Sequence, residues 1–201
     1  MTPGGVRRLT FILGGARSGK SALALRLAAQ HKEERVLFVA TAEAYDRDMT
    51  ARIERHRAER PTAWSTLEEP LDLTAALSTA VARVSDDGAR GAGHGVVVID
   101  CVTLWVSNLL LRHEDDPGAE ALIVERAREL LALYKAQRAS WIVVSNEAGL
   151  GIVPPTALGR RYRDALGRVN QLFAAAADEA LLLVAGLVLD LKAAGARPPD
   201  A

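Results

Sequence analysis

Gly14-Gly15-Ala16-Arg17-Ser18-Gly19-Lys20-Ser21 stands between a short apolar run, Leu9 to Leu13, and a stretch from Ser18 to Gln30 whose leucines and alanines recur at helical spacing. The octapeptide fits G-x-x-x-x-G-K-[ST], and a strand, a loop and then a helix is the context that gives this spacing a mechanism. Glycines let backbone N–H groups curl round phosphate oxygens, Lys20 brings positive charge to the outer phosphates, and Ser21 offers a hydroxyl to Mg2+. The helix N-terminus adds partial positive charge. The plain alternative, a glycine-rich turn joining strand to helix, does not account for the spacing.

Outward from this loop, strand and helix signals alternate. Val36 to Ala40 repeats the strand pattern, Asp46 opens a charged helical stretch reaching about Arg60 before Pro61, and a second helix is expected from Leu71 to Val84. Gly88 to Gly95 reads as a loop. Val96 to Ile99 is a β-branched run of the kind buried on both faces of a parallel sheet, and Asp100 closes it. Pro117 suits the first turn of a helix running to about Gln137, and Trp141 to Val144 gives a further strand. Asn146 to Pro155 is loop, Leu158 to Ala177 is helical, and Leu181 to Val184 and Leu187 to Leu191 are expected as buried strands separated by Ala185-Gly186. The order predicts an α/β, P-loop NTPase-like fold: a mainly parallel sheet flanked by helices.

With 201 residues, of which 49% are hydrophobic, the chain suits one catalytic domain over residues 1–192 and a loose tail over 193–201. Its 25 basic residues balance its 25 acidic ones, so no global field draws it to nucleic acid and phosphate binding must be local. Cys101, the only cysteine, reads as a buried thiol in a reducing compartment. The first eight residues lack a secretory pattern, and Ala180 to Leu189 is about half the length of a membrane span, which predicts a cytoplasmic protein.

A carboxylate where Asp100 falls, at the end of a central strand, suits the orientation of Mg2+ beside Ser21; an ordinary strand-ending aspartate is the alternative. A second constellation runs from Asp46 to Arg60, where arginines surround a histidine and Arg52, His56 and Arg60 share one helical face at i, i+4 and i+8. Composition alone favours the plainer reading, a solvated helix with ordinary surface charge.

These motifs together resemble the bifunctional adenosylcobinamide kinase and adenosylcobinamide-phosphate guanylyltransferase family. The resemblance spans nearly the whole chain. It lies in Gly14 to Ser21, in Ala40-Thr41-Ala42, in Arg52-Ile53 with His56, Arg60-Pro61 and Trp64, and in Asp100 to Trp105 with Asn108-Leu109-Leu110. It continues through Val144 to Glu147, Gly149, Gly151 to Pro154, Arg161, Arg163-Asp164, Gly167 to Gln171 and Ala177 to Glu179. Two positions depart from the family pattern, Leu25 and Asp48, and neither touches the phosphate chemistry.

The resemblance implies phosphorylation of the aminopropanol hydroxyl of adenosylcobinamide by ATP or GTP, then transfer of GMP from GTP onto that phosphate, with adenosyl-GDP-cobinamide and pyrophosphate as products. It implies that His56 carries the GMP covalently. The family's nucleotide contacts fall here on Gly14, Gly15, Ala16, Arg17, Ser18, Gly19, Lys20 and Ser21, on Ala40, Thr41 and Ala42, on Arg57, Ala58, Glu59 and Arg60, and on Glu68 and Asp100. A homo-oligomer, a trimer, is implied as well. The imidazole nitrogen must be unprotonated to attack phosphorus, whereas the kinase step needs only in-line positioning and charge stabilisation by Lys20, Ser21, Asp100 and Mg2+. Glu147 and Asp164 are candidates for a base, with capping and salt bridging as their alternatives; Trp105 and Trp141 could face the corrin or fill the core. A regulatory GTPase would carry Asn-Lys-x-Asp, which does not occur.

Overall fold

The computed structural model describes residues 7–31, 35–44, 47–58, 60–86 and 95–199, without the side chains of residues 47, 48, 52 and 81–86. The elements run β1 (Leu9–Gly14), α1 (Lys20–Ala29), β2 (Val36–Ala40), α2 (Arg47–Ala58), β3 (Ser65–Glu68), α3 (Leu73–Asp86), β4 (Val96–Asp100), α4 (Val102–Arg112), α5 (Ala119–Ala136), β5 (Ser140–Val144), α6 (Ala157–Ala176), β6 (Glu179–Val184) and β7 (Leu187–Asp190). The strands form one seven-stranded sheet in the order β3-β2-β4-β5-β1-β6-β7. Every pairing is parallel except that of β6 with β7.

Alternation along the strands sorts the core onto two faces. Phe11, Leu37, Val39, Val97, Ile99, Trp141 and Val143 pack with α4, α5 and α6, whereas Ile12, Val36, Phe38, Val96, Val98, Ile142 and Val144 pack with Leu23, Ala24 and Ala28 of α1. Parallel register brings the carboxyl ends of β1, β5, β4 and β2 to one edge, with Val144 opposite both Ile12 and Asp100, and Ala40 opposite Asp100. In open α/β sheets that edge is where ligands bind.

Two elements carry no expectation from the sequence, and two expectations change. The strand β3 has the sequence STLE, an exposed edge without an apolar run, so pattern alone gives no signal for it. The helix α4 does carry a signal: Val102, Trp105, Val106, Leu109 and Leu110 recur at i, i+3, i+4, i+7 and i+8 and are all buried. Pro117 lies before Gly118, the N-cap of α5, and not within its first turn. Finally, β7 is not buried: it is the last strand of the sheet, paired on one side only, and Leu187, Val188 and Leu189 are exposed. Ala185 and Gly186, with φ of 51° and 81°, make the tight turn that folds it back on β6.

Asp190 accepts hydrogen bonds from the N–H groups of Lys192 and Ala193, so the segment expected as a loose tail begins inside a bonded turn. No described helix is long and apolar enough to cross a membrane.

Candidate nucleotide-binding and transfer site

The loop between β1 and α1 is shaped by two glycines for different reasons. At Gly14 the backbone passes so close to β6 that a Cβ would stand 2.4 Å from the Leu183 carbonyl oxygen. Gly19 has φ +100°, a conformation that side chains other than hydrogen resist. Just past it the Leu23 N–H donates to the Gly19 carbonyl at 2.9 Å, and α1 begins. The Lys20 ammonium turns back into the loop, donating to the Gly15 carbonyl at 2.5 Å and to Ser18 Oγ at 3.5 Å, and the residue is only 8% exposed. A buried cation is thus held among backbone groups at a helix N-terminus, an arrangement that suits a polyphosphate.

On the far side of β5, the Asp100 carboxylate accepts a hydrogen bond from the Ser21 hydroxyl. Burial raises its pKa above the ordinary value, opposed by that hydrogen bond and by the charges of His56, Arg60 and Lys20. Those three cationic or basic groups come from different segments, and Asp100 is where they meet. Ser21 and Asp100 supply a hydroxyl and a carboxylate oxygen in contact, a donor pair that fits Mg2+, which takes one or two protein oxygens and completes its shell with phosphate and water. Among the described residues no group of three or more His, Cys, Asp or Glu side chains forms an all-protein metal cage.

A cavity of about 340 Å³ opens over the ends of β2 and β4 and is walled on the other side by α2. Ser21, Ala40, Ala42, His56, Arg57, Arg60, Glu68 and Asp100 line it, so the phosphate loop and the arginine-rich stretch share one space. Met49, Ile53 and Leu104 add apolar wall; Ile53 and Leu104 belong to the family motifs without an assigned role, and Met49 to none of them.

Within this wall the arginines behave differently. Arg57 pairs with Glu68, whose bond and charge raise the guanidinium pKa, and both side chains are more than half exposed. Arg60 is not on the helical face expected for it: α2 ends at Ala58, and the chain turns so that the guanidinium carbon lies 4.0 Å over the Phe38 ring. Burial lowers the Arg60 pKa, while Asp100 and Glu68 oppose that effect. Its Nε and Nη1 are enclosed without a hydrogen-bond partner among the described residues. Enclosed donors of this kind call for an acceptor, and a phosphoryl group supplies one.

Other candidates fall elsewhere. Ala58 ends α2 exposed and does not line the cavity, and Glu59 lies outside the described residues. Thr41 is fully buried. Glu147 accepts the Gly149 N–H at 2.6 Å, and Asp164 pairs with its neighbour Arg163, the local roles held open for them. Trp105 and Trp141 are core residues, 1% and 0% exposed, so neither presents a face to a ligand. The Cys101 thiol is pushed up to about 11 by burial and by Asp100.

The sheet order, the glycine-rich loop between β1 and α1 and the acidic residue two strands away define a P-loop nucleotide-binding enzyme of the α/β class. Residues 10–191 match the family described as cobinamide kinase / cobinamide phosphate guanyltransferase, and the chain belongs to that family. It is 46% identical over 186 residues to the bifunctional adenosylcobalamin biosynthesis protein CobP of Pseudomonas aeruginosa, covering 90% of this chain and 96% of that one. It is also 36% identical over 192 residues to the bifunctional adenosylcobalamin biosynthesis protein CobU of Escherichia coli, covering 92% and 99% of the two chains. Among solved structures, the RadB recombinase superposes with a TM-score of 0.48 at 16% identity, over 87% of this chain and 73% of that one.

Proposed function

We propose that this enzyme phosphorylates the aminopropanol hydroxyl of adenosylcobinamide and then transfers GMP from GTP to the new phosphate through a guanylylated His56. The observation that carries this reading is the shared cavity: His56 and Ser21 line the same 340 Å³ space, and Asp100 feels both. A histidine nucleophile is a part that the kinase reaction alone does not require, and its place in this cavity supports the second reaction.

For phosphorylation, the Gly14 to Ser21 loop holds the triphosphate and Lys20 stabilises charge on the transferred group while the hydroxyl oxygen attacks the γ-phosphorus in line, the bond to the β–γ bridging oxygen breaks, the nucleoside diphosphate leaves and the hydroxyl proton passes to solvent. Mg2+ would be held by Ser21 and Asp100 and would neutralise charge on the phosphate oxygens.

For GMP transfer, an unprotonated His56 nitrogen forms a bond to the α-phosphorus as the bond to the bridging oxygen breaks and pyrophosphate leaves. The enclosed Arg60 N–H groups meet the charge that grows on the α-phosphoryl oxygens, and Arg57, steadied by Glu68, borders the same space. A phosphate oxygen of adenosylcobinamide phosphate then attacks that phosphorus, the N–P bond breaks, and the imidazole is regenerated.

The decisive experiment is His56→Ala. GMP transfer should fall by about 1,000-fold or more, because the covalent route is gone, while the kinase reaction continues. In the parent protein, label from α-labelled GTP should stay on His56 after denaturation, labile to acid and stable to base. Parental GMP transfer and the same adduct in the alanine variant would overturn the assignment.

A further inference from the structure

We propose that Thr41 is a positioning residue for Asp100: its hydroxyl clamps the main chain of Cys101, so that the carboxylate one residue earlier stays aimed at Ser21. The inference rests on the reading of Asp100 given above.

The geometry is closed on every side. Thr41 Oγ1 donates to the Cys101 carbonyl at 2.7 Å and accepts the Cys101 N–H at 2.9 Å, so its one proton and an acceptor position are both spent on the same residue. The Thr41 N–H points to the Asp100 carbonyl at 3.4 Å, continuing the β2–β4 ladder one step beyond the pair Ala40 and Asp100. Its carbonyl in turn accepts from Asn108 Nδ2 at 2.8 Å, and the same amide nitrogen reaches the Pro70 carbonyl at 3.2 Å. Thr41 and Asn108 are 0% and 3% exposed.

Asp100 sits where β4 stops and α4 is about to begin, a junction with no ladder partner for the next residue on the β5 side. Without the hydroxyl, the Cys101 N–H loses its bond and the Cys101 C=O keeps only the Trp105 N–H at 3.3 Å, so the main chain next to Asp100 is less firmly held and the carboxylate relies on the strand and its bond from Ser21. Thr41 therefore belongs to the site through Asp100, not through a side-chain contact to nucleotide. The position is selective for a hydroxyl: valine keeps the shape and loses both bonds, and serine keeps the bonds.

The test compares Thr41→Val, Thr41→Ser and Asp100→Asn with the parent, reading turnover in both reactions and, by calorimetry, GTP affinity in EDTA and in Mg2+. Supporting contacts of this kind typically govern about 10- to 100-fold in activity or metal affinity, and that is the loss expected in kcat and in the Mg2+-dependent gain in GTP affinity for Thr41→Val. Its affinity for GTP in EDTA should stay near the parent value, and Thr41→Ser should restore all readouts. A folded Thr41→Val with parental kcat and parental Mg2+ response would overturn the clamp. Loss of GTP affinity in EDTA matching the loss in kcat would make Thr41 a nucleotide contact instead. If Asp100→Asn itself behaves as the parent, the reading of the carboxylate fails and the clamp has no object. Should Thr41→Val not fold, Thr41→Ala enters the same comparison with the same outcomes.

Discussion

The Arg60 guanidinium carbon lies over the Phe38 ring, 4.0 Å from its centroid, on the wall of the cavity that His56 also lines. Phe38 projects from the face of β2 that packs toward α1, so the sheet itself supplies the platform. The cation–π contact holds the guanidinium against the ring, and its enclosed Nε and Nη1 have no hydrogen-bond partner among the described residues and can meet an acceptor.

Arg60→Ala should therefore lower kcat/KM for GMP transfer by about 10- to 100-fold, the usual weight of a hydrogen bond to a charged group, about 1.5–3 kcal/mol. Lysine should restore little, because an ammonium neither stacks nor forks. Steady-state kinetics of the three proteins with GTP and adenosylcobinamide phosphate decide it; full rescue by Arg60→Lys would show that charge alone is needed.

Lys20→Ala should impair both reactions. Removing one preorganised charge beside a phosphoryl transition state costs about 3 kcal/mol, on the order of 100-fold in rate. If GMP transfer kept its parental rate while phosphorylation was lost, two separate triphosphate sites would replace the single loop.

Packing at Gly14 predicts a stability effect independent of the chemistry. A methyl group there meets the Leu183 carbonyl oxygen at 2.4 Å and Ser18 Oγ at 2.8 Å, so β1 and β6 must separate. Gly14→Ala should destabilise the fold by about 1–3 kcal/mol, read from urea denaturation without nucleotide. An unchanged midpoint would mean that the strand edge yields freely.

Behind the loop after β5, Ser145 Oγ donates to Asn170 Oδ1 at 2.7 Å, Asn170 Nδ2 donates to the Asn146 carbonyl at 3.0 Å, and the Asn146 N–H donates to Thr103 Oγ1 at 2.6 Å. Asn170→Leu strips two of these bonds from buried groups and should cost about 2–4 kcal/mol, lowering Tm by roughly 5–15 °C for a chain of this size. Calorimetric melting checks it.

Alkylation of Cys101 offers a pH test. The thiolate is the reacting species, and with the thiol pushed up to about 11 its fraction falls tenfold for each pH unit below that value. Iodoacetamide labelling of nucleotide-free, metal-free protein should thus be slow at pH 7 and keep accelerating through pH 10, where an unperturbed cysteine has already levelled off. A plateau near pH 9 would contradict the upward shift of this half-buried thiol.

Much of this architecture was legible as residues in order. The run Leu9 to Leu13 before Gly14 to Ser21, and Val96 to Ile99 before Asp100, are local signals: burial on both faces demands continuous apolar strands, and phosphate demands glycine, lysine and a hydroxyl at fixed spacing. The strand β3 left no such signal, because an exposed edge strand has no apolar face to betray it. The exposure of β7 was equally hidden, since Leu187 to Leu189 reads the same whether another layer covers it or not.

By itself, then, the sequence determined the phosphate loop, the central strands and the family motifs, because each depends on neighbours along the chain. Only the tertiary structure decided that Arg60 leaves the helix to stack on Phe38, that the Thr41 hydroxyl spends itself on Cys101, and that His56 and Ser21 share one cavity. Those relations join residues distant in the chain, and strand order, parallel register and the placement of α2 over the strand ends bring them together.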